Sequence, residues 1–193
     1  MSVSLKGQFL IATPSMGDKR FFESLIYVID HNEEGAMGLV VNHLLEGMQF
    51  FDILKEMKLG KKDELINIPT KIKTQKILRG GPVEKGRGFV LHSKDYSQDD
   101  NSFFISDEIG MTATRDILKA IAFGTPPQKS LFALGYCGWG KGQLENELKK
   151  NGWLITPYCE DLLFGTPFEK RYDLALSKLG ANRASLSTTY GNA

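Results

Sequence analysis

Apolar residues in this chain fall into two patterns, short unbroken runs and stripes at helical spacing. Runs over residues 8–13, 25–29, 38–42, 76–79, 89–92, 103–106, 131–135 and 153–155 predict strands. Several, such as Leu25-Ile26-Tyr27-Val28-Ile29, are apolar without alternation, which predicts central strands covered on both faces. Phe50, Ile53, Leu54 and Met57 instead follow the i, i+3, i+4, i+7 spacing of one helix face. Ile117, Ala120 and Ile121 predict a second helix, with Thr114 as its cap and Gly124 then Pro126-Pro127 as its stop. A third is expected to start at a capping box of Thr166, Pro167 and Glu169. Its buried stripe would be Phe168, Tyr172, Leu176 and Leu179, and Gly180 would end it. Early strands come in pairs joined by short turns, and strict strand–helix alternation is absent. The expected fold class is α+β, a single domain over residues 1–193 with a bulged mixed or antiparallel sheet flanked by helices. Residues 61–79 carry six basic and two acidic residues with little periodicity and no interleaved aromatics, and read mostly as a solvated loop.

Composition narrows the function classes. With 193 residues, 41% apolar and 24% charged, the chain is long enough to bury about 70% of its surface without disulfides or metal. Disorder, a collagen-like chain and a coiled coil are excluded. Lys and Arg exceed Asp and Glu by 24 − 23 = 1, which argues against strong sequence-independent binding to nucleic acid or an anionic membrane. No apolar stretch approaches the roughly 20 residues of a membrane span, and the apolar run at 9–12 is too short for a signal-peptide core. Cys137 and Cys159 belong to no CxxC pair, so neither a zinc site nor a redox motif is expected. The chain reads as cytoplasmic with reduced thiols. His31, His43 and His92 are widely spaced, so no metal site and no cofactor are expected.

Half of the 20 glycines gather in three windows, at 35 and 38, at 80, 81, 86 and 88, and at 135, 138, 140 and 142. They read either as tight turns between packed strands or as a backbone cradle for a small ligand or partner. In the first window, His31-Asn32-Glu33-Glu34 reads as a surface turn, with His31 beside Asp30 and Glu33 as an acid/base alternative. His92 closes an apolar run and reads as a hydrogen-bonded strand-end residue. The third window, from Gly135 through Gly142, approaches a phosphate-binding GxxxxGK loop between a strand and a helix. Gly142 stands where Ser or Thr would bind magnesium, and Trp139 is too bulky for a loop wrapped on phosphate. Nucleotide hydrolysis is therefore not expected; an anion held at the helix start with help from Lys141 is the weaker reading. Along that helix, where Leu144 and Leu148 face inward, Gln143, Glu147 and Asn151 repeat every four residues, as a solvated face or a cleft lining. Cys137 reads as a small buried hydrophobe at a strand end, or as a nucleophile if a histidine stands beside it.

Together, Phe9-Leu10-Ile11-Ala12-Thr13-Pro14, His31-Asn32, Gly35-Ala36-Met37-Gly38-Leu39-Val40-Val41-Asn42, Gly80-Gly81-Pro82-Val83, Gly88-Phe89-Val90-Leu91-His92 and the Gly135–Glu147 motif residues resemble the AlgH/YqgE family of bacterial cytoplasmic proteins, in the family's order. The resemblance runs from about Leu5 to the C-terminus. It implies a single α+β domain with a bulged mixed sheet and no established catalytic activity. The founding member's association with transcriptional regulation of exopolysaccharide production comes without a clear DNA-binding motif. Two departures stand out: Asn42 is followed by His43-Leu44 where members often have a basic residue and proline, and the chain ends Gly191-Asn192-Ala193 where many end Gly-His-Ala.

The favoured expectation is a non-catalytic regulatory or binding domain for a small ligand or protein partner. Its binding residues would be His31, Asn32, Asn42, Gly80, Gly81, Gly138, Trp139, Gln143 and Glu147, with Trp139 and Tyr136 as anchors. His31, Gly81, Trp139 and Gln143 are expected on one side of the molecule. The alternatives are a hydrolase-type enzyme using Cys137 or His31 with Glu147, and a DNA-binding regulator, for which no helix-turn-helix is recognisable.

Overall fold

In the computed structural model, which describes residues 4–97 and 101–188, strands dominate and helices pack on a single sheet system. The strands are β1 (Phe9–Ala12), β2 (Leu25–Asn32), β3 (Gly35–Val40), β4 (Leu44–Gln49), β5 (Lys76–Arg79), β6 (Val83–Ser93), β7 (Ser102–Phe104), β8 (Ile109–Thr112), β9 (Ser130–Gly140) and β10 (Trp153–Thr156). The helices are α1 (Phe50–Glu56), α2 (Lys62–Asn67), α3 (Thr70–Lys73), α4 (Arg115–Phe123), α5 (Gln143–Lys149), α6 (Arg171–Lys178) and α7 (Arg183–Thr188). The sheet runs β10-β1-β2-β3-β9-β6-β8-β7 with antiparallel neighbours, while β5 lies parallel to β9 and carries β4 on its outer side. The fold is α+β with a mixed sheet, as the strand pattern suggested.

β9 is shared by the two parts of the sheet. Its last residues pair with β3, Cys137 opposite Gly38 and Gly140 opposite Gly35. Its first half is held between β5 and β6, with Ile77 opposite Phe132 on one side and Val90 opposite Phe132 on the other. β3 and β5 therefore abut along one edge of β9, and their ends meet at Gly80. Gly80 accepts from the Val40 N–H at 2.8 Å and donates to Leu134 at 2.8 Å. This fork explains two glycine windows. A Cβ on Gly81 would lie 2.1 Å from the Tyr136 carbonyl, and one on Gly80 2.3 Å from the Gly135 carbonyl. Residues 135–140, read as a loop, are strand; their glycines are needed for close main-chain approach.

The core follows from β2. Leu25, Tyr27 and Ile29 point into one cluster beneath α6, whereas Ile26 and Val28 join Leu144, Trp139 and Trp153 on the opposite face. A third cluster joins Phe50, Ile53 and Leu54 of α1 to Ile117 and Ile121 of α4 over Phe132 and Ile77. Truncating such a side chain to alanine costs about 2–5 kcal/mol.

Two helical readings need correction. Residues 61–79 are not mostly loop: α2 and α3 precede β5, and the Lys61 N–H donates to the Glu64 carboxylate three residues on, closing the first turn. The C-terminal helix does not begin with a capping box at Thr166. A short 3₁₀ turn over Phe168–Lys170 precedes α6, and the Thr166 carbonyl instead accepts from Arg171 Nε at 2.9 Å. Arg171 also donates through Nη1 to the Val41 carbonyl at 2.7 Å, anchoring α6 to the end of β3. Burial lowers its pKa to about 10. The buried stripe is Arg171, Tyr172, Ala175 and Leu176, and Leu179 is left exposed. Gly180 does end the helix, at φ +69°.

Candidate functional site

The antiparallel pairing of β3 with β9 draws the first and third glycine windows together, and the fork adds the second. Where they meet, main chain packs directly against Gly35, Gly80 and Gly81. Around this junction α5 carries two of the polar side chains that the sequence singles out, Gln143 and Glu147. Glu147 accepts through Oε2 from the indole N–H of Trp139 at 2.9 Å and of Trp153 at 2.7 Å. Its Oε1 accepts from Gln143 Nε2 at 2.9 Å, and Gln143 Oε1 accepts from the Gly140 N–H at 3.1 Å. Trp139 is buried edge-on against Trp153, with ring centroids 6.0 Å apart. Tyr136 is half-buried with its ring edge against Phe89.

His31 is buried at the end of β2. Its Nδ1 accepts from the Leu5 N–H at 3.0 Å, so Nε2 carries the proton and donates to Glu145 Oε1 at 2.8 Å. Its acidic partner is thus Glu145, rather than Asp30, Glu33 or Glu147. Asn32 closes the hairpin turn, its Oδ1 accepting from the Glu34 N–H at 2.8 Å and its Nδ2 donating to Asp30. Asn42 clamps two segments, accepting from the Leu25 N–H and donating to the Glu23 carbonyl, both at 2.8 Å. Gly138 is exposed on β9 opposite Met37.

The groups that an enzyme would use are engaged elsewhere. Cys137 is 1% exposed, donates weakly to the Gly80 carbonyl at 3.4 Å, and burial pushes its thiol up to about 12. Its neighbours on β9 include no histidine. His92 is fully buried between Thr112 Oγ1 and the Ser93 carbonyl, each 2.9 Å from a ring nitrogen, and burial lowers its pKa. Gly110 makes room for that ring: a Cβ there would lie 2.7 Å from Cε1. At the start of α5, Lys141 pairs with Glu34 at 3.7 Å, and a two-residue turn containing Gly142 at φ +70° replaces any phosphate-wrapping loop. Among the described residues no three His, Cys, Asp or Glu side chains cluster as metal ligands, and no helix is long and apolar enough to cross a membrane.

One hollow lies where the sequence gives no sign of one. A cleft of about 560 Å³ opens between β4 and α1 on one side and β6 and α4 on the other. Leu45, Met48, Met57, Leu118, Phe132 and Leu134 form its apolar wall, and Glu56, Lys85 and Arg115 stand among its lining residues. The pairing of β6 with β9 slips between Val83 and Gly88, so Glu84, Lys85, Gly86 and Arg87 bulge away from the ladder beside the cleft. Arg115 donates to the Met57 carbonyl, fixing the start of α4 to the end of α1. Volume and lining fit a pocket for a small molecule.

This fold and arrangement belong to a described class. The AlgH-like family model matches residues 9–184, and the chain belongs to that bacterial family, whose function is not established. It is 48% identical over 189 residues to a UPF0301 protein of Rhodopseudomonas palustris, covering 98% of this chain and 87% of that one. A UPF0301 protein of Azorhizobium caulinodans is likewise 48% identical, over 98% and 92%. The solution structure of AlgH from Pseudomonas aeruginosa superposes with a TM-score of 0.79 at 40% identity, covering 100% of this chain and 98% of that one. A crystal structure of a Corynebacterium diphtheriae protein has the same fold, with a TM-score of 0.70 at 18% identity over 92% and 88%.

Proposed function

We propose that this chain is a non-catalytic binding domain with a regulatory role, whose ligand is a small molecule with an apolar body seated in the cleft between α1, α4 and β6. The observation that carries this reading is the cleft itself, about 560 Å³ with an apolar wall and a few charged side chains among its lining. The state of the reactive groups supports it: Cys137, His31, His92 and Glu147 are all committed to hydrogen bonds within the fold. In this reading Gly80, Gly81 and Asn42 fix the fork, while His31, Gln143 and Glu147 brace α5 beneath it. Two free cysteines, neither in a disulfide, fit a reducing cytoplasm.

The test uses 1-anilinonaphthalene-8-sulfonate, whose emission rises in apolar surroundings. Native protein is expected to give saturable one-site enhancement, and Ala113→Phe, at an exposed lining position, to abolish it without moving the melting midpoint. Enhancement that never saturates, or that survives in the variant, would overturn the assignment. Discovery of turnover that depends on Glu147 or Cys137 would replace it with the enzyme reading.

A further inference from the structure

Beside the cleft lies a second concavity of about 160 Å³, at the fork where the ends of β3 and β5 meet. Arg20, His43, Arg79, Gly81, Pro82 and Lys85 are among its lining residues. Only Lys85 is common to both hollows.

The charges around this notch are unbalanced. Arg20 is held by Asp18, which binds its Nε and Nη2. The other nearby carboxylates have partners of their own, Glu84 with Arg87 and Glu23 with Arg183. Arg79 and Lys85 form no ion pair among the described residues. Two cations lining one concavity without a paired carboxylate give it a positive potential that attracts an anion. Main chain contributes as well. Gly81 is buried, and among the described residues its N–H donates to no oxygen. An N–H at the notch wall without a protein acceptor suits an acceptor brought by a ligand. Burial, and then the Arg79 charge, lower the pKa of His43, keeping this imidazole neutral near pH 7.

We propose that the notch is an oxyanion site, taking one phosphate or carboxylate group of a small molecule. Arg79 supplies a planar fork of donors, Lys85 a mobile charge and Gly81 a fixed N–H, the combination that recognises such groups. The site is distinct from the cleft but shares Lys85 with it, while Arg79 and Gly81 line the notch alone.

The experiment follows the Gly81 amide in ¹⁵N-labelled full-length protein during titration with inorganic phosphate and, separately, acetate, chloride holding ionic strength constant. A saturable shift with either anion is expected, and the tighter of the two identifies the preferred group. Arg79→Gln and Lys85→Gln should each weaken binding by about tenfold or more, as one charge-assisted hydrogen bond is lost. Lys150→Gln, elsewhere on the surface, and Ala113→Phe in the cleft should leave it unchanged. The proposal is overturned if neither anion saturates, if Arg79→Gln titrates like native protein, or if Lys150→Gln weakens binding as much as Arg79→Gln.

Discussion

His31 donates its Nε2 proton to Glu145 Oε1 at 2.8 Å because the other ring nitrogen is already occupied by the Leu5 N–H. One imidazole thereby ties the N-terminal segment, the end of β2 and helix α5 into a single unit. The Glu145 carboxyl is held below its ordinary value of 4.5, first by its own main-chain N–H and then by His31. A lowered folded pKa adds stability that is complete above the unfolded value and is lost as pH falls through the folded one. Glu145→Gln should therefore destabilise by about 1 kcal/mol at neutral pH and flatten the acid limb of the stability curve, measured by urea melts down to about pH 3.

Glu147 takes three N–H donors, two of them from buried indoles. Glu147→Ala leaves those donors unanswered and should cost about 2–4 kcal/mol. Glu147→Gln retains one acceptor oxygen and should cost roughly half as much. Denaturant midpoints read both by circular dichroism and by tryptophan emission check the order of the two.

The fork predicts a sharp contrast between neighbouring glycines. Gly81→Ala places a Cβ 2.1 Å from the Tyr136 main chain, which cannot yield, and should cost at least about 3 kcal/mol or prevent folding. Gly86→Ala meets open space and should stabilise by about 0.5 kcal/mol, through a less flexible unfolded chain. Thermal melts of both variants decide the matter.

Cys137, nearly inaccessible and with its thiol near 12, should resist iodoacetamide at mild alkaline pH, whereas the half-buried Cys159 reacts. Mass spectrometry is expected to find one adduct on native protein and two in guanidinium chloride. Rapid labelling of native Cys137 would show that its strand is open to solvent.

His43 and His92 both have folded-state pKa values below their ordinary 6.5, chiefly through burial. Each binds its proton less readily in the folded chain than in the unfolded one. Their contribution is complete above about 6.5 and is lost as pH falls through each lowered value. Urea midpoints should drop between about pH 7.5 and 5.5, and His92→Gln should shrink that drop.

How much of this was readable depended on where each signal is stored. β2 announces itself because five consecutive side chains must be apolar when both faces are covered. β4 and β8 give no clear apolar run: Leu44–Gln49 is broken by Glu46 and Gly47, and Ile109–Thr112 by Gly110, which makes room for the His92 ring. The second half of β9 looked like a loop because contact with β3 and with Gly81 demands glycine where a strand would ordinarily carry β-branched residues. The α5 stripe was visible from its spacing, yet the partner of His31 lies 114 positions away. The cleft left no trace in local spacing, because β4, α1, β6, α4 and β9 each contribute only a few residues to it.

A polypeptide whose β3, β5 and β6 all lean on β9 cannot be divided into two self-sufficient halves. Any cut through it strips one fragment of the backbone partner that the other keeps. Recombination can attach such a module to something else or lose it, but cannot exchange half of it, so it should be inherited as one indivisible piece.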